Sequence, residues 1–475
     1  MAFSIQVNSQ NTFQVFDFVS FYNGFSTLEA LADEIKPLPE GFYRLRTNIV
    51  TTKLSEKQLN LLRGSIEMNV TVRAACDNFD RLGRVNLAFI HKDSVFDGIS
   101  ETTKRIEIAR FITPFMDKNK KPNSVLYTFR VDNLQHIFQD RRLREQYNFW
   151  LILNIFGVPY TANKQVAGCA GRNDVFYGSL SFTTTAEPTE TDTLEDDNVF
   201  IPLFMSQRFN NHSELATDVI GRTIRSIAFE VEEDLTDAHF VLITSNHGAN
   251  PGGEEYIRRW HYVYLNNKEI FRYKPGRTTC EPFRVYNTQR NGIFGLEPRT
   301  DAKWQSFSNW CPGDVIDTRI INLGALPAGE HLFTIEVPDA VFVDREGNFP
   351  LSLYFQGRTS GTVVVPPSIG ELSQVTEIAV GATEFDLGTL TQGDSKVISV
   401  PIKNIGELPL IIFDARTSCS CTDVAFEQDP TPSNGTLELH ITHNADSNGH
   451  FDRTVAVFGN MHHSPLMIRL RGTVE

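Results

Sequence analysis

Long apolar runs, basic residues and helical periodicity are all scarce in this sequence. No segment reaches the apolar length of a membrane span, so none is expected. Lys and Arg number 44 against 58 Asp and Glu, and the net charge of -14 disfavours phosphate backbones and anionic membrane surfaces. Nucleic acid is therefore not an expected partner. Met1 to Gln10 has neither the basic stretch nor the apolar core of a secretory signal. Two expectations fit: a signal removed ahead of Met1, or a native start in a protein that leaves the cell by another route, for example in a phage virion. Cysteines number only six, and spacing alone cannot fix their connectivity. Cys419 and Cys421, with His462 and His463 in the same region, lack a defined four-ligand set, so no metal or cofactor is expected.

What the sequence does have is a recurrence of short alternating or apolar runs with Gly, Asn, Asp and Pro between them. Phe42 to Val50, Ile66 to Val72, Arg84 to Ile90, Arg105 to Ile112, Val125 to Val131 and Phe149 to Phe156 read as strands of an antiparallel sandwich. Helices are expected only at Leu54 to Leu62 and Leu134 to Tyr147, the second with Leu134, Ile137, Phe138 and Leu143 on one stripe. The segment Thr185 to Asn198 is acidic and poor in apolar residues, as a linker would be. Beyond it, Ile224 to Val231, His239 to Thr244, Trp260 to Leu265, Val315 to Leu323 and His331 to Val337 read as strands of a second unit. Pro366 and Pro367 mark a further boundary before a final all-β unit. The expected fold class is all-β: two consecutive eight-stranded antiparallel jelly rolls plus a C-terminal Ig-like β-sandwich. The boundaries are 1–185, a linker at 186–198, 199–366 and 370–475.

Four runs carry more than architecture: Cys76-Asp77-Asn78-Phe79-Asp80-Arg81, Arg110-Phe111-Ile112-Thr113-Pro114-Phe115, Glu255 followed by Arg259 and His261, and Asn309-Trp310-Cys311-Pro312-Gly313. Together they resemble the peptide-N-glycosidase F family, amidases that remove N-linked glycans from asparagine. The resemblance extends from near Phe13 to about Gln356. It implies paired jelly rolls, an extracytoplasmic setting, an N-glycan or glycoprotein as partner, and hydrolysis of a linear amide without a cofactor. Asp80 falls on the family's main catalytic Asp, with Phe79 replacing a Trp, and Glu255 on a family Glu. Cys280 and Cys311 fall on a family disulfide, and arithmetic then leaves Cys76 with Cys169 as a further pair. The final unit, with Phe385, Gly388, Asn404, Gly406 and the Cys419-Ser420-Cys421-Thr422 run, resembles bacterial Ig-like domains of the ASH type. That likeness implies a spacer or adhesion module docking to another protein, with no chemistry of its own.

Three positions depart from the family pattern. Phe307 stands where the family has an Arg, and a phenyl ring cannot make the forked hydrogen bonds of a guanidinium. Leu151 to Gly157, where a further carboxylate belongs, holds none, and Cys76 has no close upstream Cys.

Amide hydrolysis needs a group to activate water and groups to stabilise the developing oxyanion and leaving amine. Asp80 is the candidate base, and the plainer alternative is a turn aspartate bonding its own backbone, the role Asp77 fits better. Glu255 is the candidate assistant, and Glu254 beside it is the confounder. Arg81, Arg259 and His261 are candidates to bind sugar hydroxyls or to hold the carboxylates, with plain salt bridges as the alternative. Trp310, with Trp304 and Trp260, is a candidate sugar platform, against the commoner role of Trp as core. Two functions follow: a glycan-asparagine amidase or a degenerate descendant, and a non-catalytic carbohydrate-binding or structural protein of the virion kind.

Overall fold

Along Ile66–Ala74 buried and partly exposed residues alternate strictly, Ile66, Met68, Val70 and Val72 pointing inward. Such a period of two is what a strand with one wet face requires. In the computed structural model these patterns build three β-sandwiches in succession. It describes residues 11–94, 96, 98, 103–185, 194–195, 197–289, 294–295, 297–359, 376–417, 421–427, 429–446, 448–461 and 466–475.

In the first sandwich, a sheet of Asn11–Tyr22, Asp174–Thr184, Ile66–Ala74 and Ser124–Arg130 faces a larger sheet. The larger one runs Phe42–Arg46, Ile49–Lys53, Tyr147–Ile155, Leu82–His91, Arg105–Ile112. The expected run Phe42 to Val50 is thus two strands of a hairpin. The second sandwich packs Asn198–Gln207, Leu351–Thr359, Leu235–Thr244 and Arg319–Leu326 against Ile224–Val231, Gly329–Glu336, His261–Leu265 and Lys268–Tyr273. The third has two four-stranded sheets between Ile378 and Val474, with its own apolar core.

The run Val315 to Leu323 divides between domains. Val315–Ile316 pairs with Phe111 and Arg110 as the outer strand of the first sandwich, whereas Arg319–Leu326 joins the second. One chain segment therefore stitches the two sandwiches edge to edge. Apolar side chains seal the same junction, Phe200 of the second sandwich lying 5.4 Å from Phe89 of the first.

Helices are short. Glu56–Leu61 begins with a reciprocal Ser55 and Gln58 capping box. The expected helix Leu134 to Tyr147 breaks into Asp132–Leu134, Gln135–Phe138 and Arg141–Gln146, because Asp140 turns out of the helix to cap the Leu143 amide. Of the expected linker, 186–193 and 196 lie outside the described residues, as do Pro366 and Pro367. At its end, Glu195 pairs with His136 and Asp197 with Arg358.

Candidate functional site

The segment Cys76 to Arg81 crosses from Ile66–Ala74 to Leu82–His91, between the sheets of the first sandwich. Cys76 is tied to Cys169 by a disulfide. Buried Asp77 accepts hydrogen bonds from the amides of Phe79 (3.0 Å) and Val158 (2.7 Å) and from Arg81 Nε (2.7 Å). It is the turn-building aspartate. Thr113 grips the segment from the next strand, accepting from the Arg81 amide at 2.8 Å and donating to the Phe79 carbonyl. Asp80, between these anchored neighbours, projects into a cleft of about 400 Å³.

The opposite wall comes from the second sandwich. Gly313 has φ of +101°, a conformation that favours glycine, and its amide donates to the Ile112 carbonyl. That turn, the Cys280–Cys311 disulfide and the Val315–Ile316 strand fix Trp310 against the first sandwich. Its indole Nε1 donates to Asp80 Oδ2 at 3.3 Å. The Asn309 side-chain amide reaches the carbonyls of Glu254, Glu255 and Ile257 at 2.6, 2.8 and 3.1 Å, holding the Glu255 loop on the same support.

Asp80, Arg81, Glu255 and Trp310 all line this one cleft, with His247, Tyr256 and the rings of Phe79, Phe115 and Phe156. Burial raises the Asp80 carboxyl to about 6, opposed by the Trp310 hydrogen bond and by Arg81. Burial, reinforced by the Asp80 charge, raises Glu255 to about 7, opposed by hydrogen bonds from the Gly248 backbone and Tyr256. Two carboxylates that repel each other in a recessed cleft therefore hold protons into the neutral range.

Five of the residues weighed in the sequence are not brought to the cleft. Glu254, adjacent to Glu255, is fully buried, forked by Arg259 (2.9 and 3.1 Å) and capped by the Val341 amide. Arg259 is accordingly a salt-bridge partner. His261 is buried in the second sandwich, its ring 4.8 Å from that of Tyr273 and its pKa lowered to about 3 by burial, so it binds nothing in the cleft. Trp304 is core, donating to Glu281, and Trp260 is exposed elsewhere.

Three residues at or behind the cleft were given no role of their own by the sequence reading. His247, kept neutral by burial with a pKa of about 3, lies 4.6 Å from the Trp310 ring and pairs with Ser245. Tyr256 lines the cleft beside Glu255, and Asn309 holds the loop. Asn309 was legible as part of a singled-out run, whereas His247 carried no sequence signal. The Cys419 and Cys421 region and His462 and His463 fall mostly outside the described residues.

Comparison with known proteins agrees with this architecture. A family model described as "Peptide-N-glycosidase F, N terminal" matches residues 12–170, and "Peptide-N-glycosidase F, C terminal" matches 217–356. "Protein of unknown function (DUF1573)" matches 378–474. Among solved structures, PNGF-II is similar at 18% identity and a TM-score of 0.52, over 74% of this chain and 66% of that one. The chain thus spans just under two thirds of that protein's length. A structure titled recombinant peptide: N-glycanase F (PNGase F) is 15% identical, with a TM-score of 0.47, over 74% of this chain and 96% of that one. No curated protein matches the chain. With both halves of the family's paired domains matched in order, and together covering more than half its length, this chain belongs to the peptide-N-glycosidase F family.

Proposed function

We propose that the cleft hydrolyses the amide joining an N-linked glycan to asparagine, with Asp80 and Glu255 as its acid-base pair. The observation that carries the reading is that these two carboxylates, from separate sandwiches, line one cleft, where the Asp80 charge adds to burial in raising Glu255. Near neutrality the pair holds about one proton, and Asp80 ionises first because Trp310 and Arg81 stabilise its charge. Asp80 takes a proton from water as its oxygen attacks the amide carbon, and Glu255 protonates the departing nitrogen as the C–N bond breaks. The peptide keeps an aspartate and the sugar leaves as a glycosylamine. Arg81, its Nε anchored on Asp77, offers positive charge at the cleft wall for a sugar hydroxyl or the oxyanion. Two formed disulfides and the family support a location outside the cytoplasm.

A second reading is favoured by Phe307, where the family pattern has an Arg, and by Leu151 to Gly157, which holds no carboxylate. In that reading the cleft binds carbohydrate without cleaving it, in a structural protein such as a virion component with the third sandwich docked to another protein. Release of free glycan from a denatured N-glycoprotein separates the two. Wild type is expected to release glycan, and Asp80→Asn to lose at least 100-fold in rate. Glycoprotein binding without release by wild type favours the second reading.

A further inference from the structure

The two walls of the cleft differ in kind. From the second sandwich come His247, Glu255, Tyr256 and Ser308, all able to hydrogen-bond, whereas the first sandwich, around Asp80 and Arg81, offers mainly the rings of Phe79, Phe115 and Phe156. That aromatic wall continues out of the cleft. The Phe25 ring meets Phe156 edge to face, with centroids 5.3 Å apart and planes at 78°. Phe25 is 71% exposed and Tyr160 56%, the two most exposed Phe, Tyr or Trp side chains among the described residues. One buried side chain holds both: Asn23 accepts from the Phe25 amide at 3.2 Å and donates to the Tyr160 hydroxyl at 3.4 Å. The Asn23 carbonyl in turn accepts from the Ser26 amide and the Thr47 hydroxyl. Gly24 lets the Phe156 ring rest on the backbone, since a Cβ there would lie 2.4 Å from it. A turn fixed this firmly holds an apolar ring in water, where an apolar partner that covered it would gain free energy.

We infer that Phe25, with Phe156 behind it and Tyr160 on the same Asn23 anchor, is a ledge that seats an apolar side chain of the substrate's peptide, next to the glycosylated asparagine. This deepens the amidase reading and rests on it, because that reading makes the ligand a peptide carrying a sugar. The difference between the walls assigns its two ends. Sugar hydroxyls taken out of water need hydrogen-bond partners, and the second-sandwich wall supplies them, beside the Glu255 that protonates the nitrogen leaving with the sugar. The carbon that stays with the peptide is attacked from the Asp80 side, among the Phe rings. An extended peptide advances about 3.3–3.6 Å per residue. The 5.3 Å step from Phe156 to Phe25 is therefore covered by the first or second residue beyond the asparagine. Unfolded glycoprotein segments expose apolar side chains that a folded protein buries, so the ledge favours those segments over polar ones.

Two glycopeptides with the same glycan, and either Phe or Ser on both sides of the glycosylated asparagine, test this with the full-length chain. Wild type should release glycan from the Phe peptide with a kcat/KM about tenfold higher, and Phe25→Ser should bring that ratio to about one. A ratio near one in wild type, or a preference that survives Phe25→Ser, overturns the inference. So does a loss in Phe25→Ser that is equal for the two peptides and disappears when the glycan is trimmed to its first sugar, which would assign the ledge to the glycan. Fluorescence anisotropy with the labelled glycopeptides provides a readout independent of turnover. Asp80→Asn should bind the Phe peptide about tenfold more tightly than the Ser peptide, and Asp80→Asn combined with Phe25→Ser should bind both alike. Equal binding of the two peptides by Asp80→Asn overturns the inference. Absence of release by wild type, with the Phe25-dependent difference in binding present, instead overturns the amidase reading alone.

Discussion

At the scale of single residues, Asp80 and Glu255 place function against stability. Both carboxyls are raised by burial above their ordinary values of 3.8 and 4.5, to about 6 and about 7. At these two groups the folded state therefore binds more protons than the unfolded state between about pH 4 and pH 7, so their stabilising contribution is full below that window and lost as pH rises through it. Asp80→Asn or Glu255→Gln should raise stability by about 1–3 kcal/mol at about pH 8, with the difference fading near pH 4, in urea denaturation followed by fluorescence. Equal stability at both pH values would show that burial does not perturb these groups. His247 and His261, both lowered to about 3, act in the opposite sense and withdraw stability as pH falls below about 6.5. Glu254 and Glu255 show how far one residue step matters: one is an internal ion-pair partner, the other lines the cleft.

At the scale of elements, the two-residue strand Val315–Ile316 and the disulfide before it do what longer strands cannot. They carry Trp310 from the second sandwich onto Asp80 of the first. The Cys280–Cys311 bridge spans 31 residues of sequence, and replacing both cysteines with serine should cost about 3–4 kcal/mol by the loop-entropy estimate. Trp310→Phe keeps the ring but removes the donor to Asp80, so glycan release should fall about tenfold with unchanged circular dichroism. An unaltered rate would remove Trp310 from the proposed chemistry. Most strands were legible from alternation, and Arg105–Ile112 and Ile224–Val231 have the expected bounds. The breaks were not, because nothing local in residues 315–323 marks where their hydrogen-bond partners change from one sandwich to the other.

At the scale of the whole molecule, the mutual placement of the first two sandwiches rests on buried polar contacts as well as apolar area. Arg110, fully buried on the first, forks Glu107 at 2.7 Å and reaches Ser245 Oγ and the Pro350 carbonyl of the second at 2.8 Å. Ser352 of the second returns a hydrogen bond to Glu107. Arg110→Met should cost about 3–5 kcal/mol in chemical denaturation, because it leaves the Glu107 charge buried without its main partner. Pairing it with Glu107→Leu should recover most of that loss, whereas persistent destabilisation would assign the cost to packing.

The sequence by itself determined the all-β class, the order of the units and the family, because alternation and unusual residue runs are local properties preserved in the chain. It also placed Asp80, Arg81, Glu255 and Trp310 among the candidates, all of which line the cleft, together with Arg259 and His261, which do not. Only the tertiary structure decided that division. Whether a side chain meets a cleft or an ion pair depends on contacts between residues far apart in sequence, and here on a short strand of one sandwich completing the sheet of the other. Local pattern cannot encode that choice of partner.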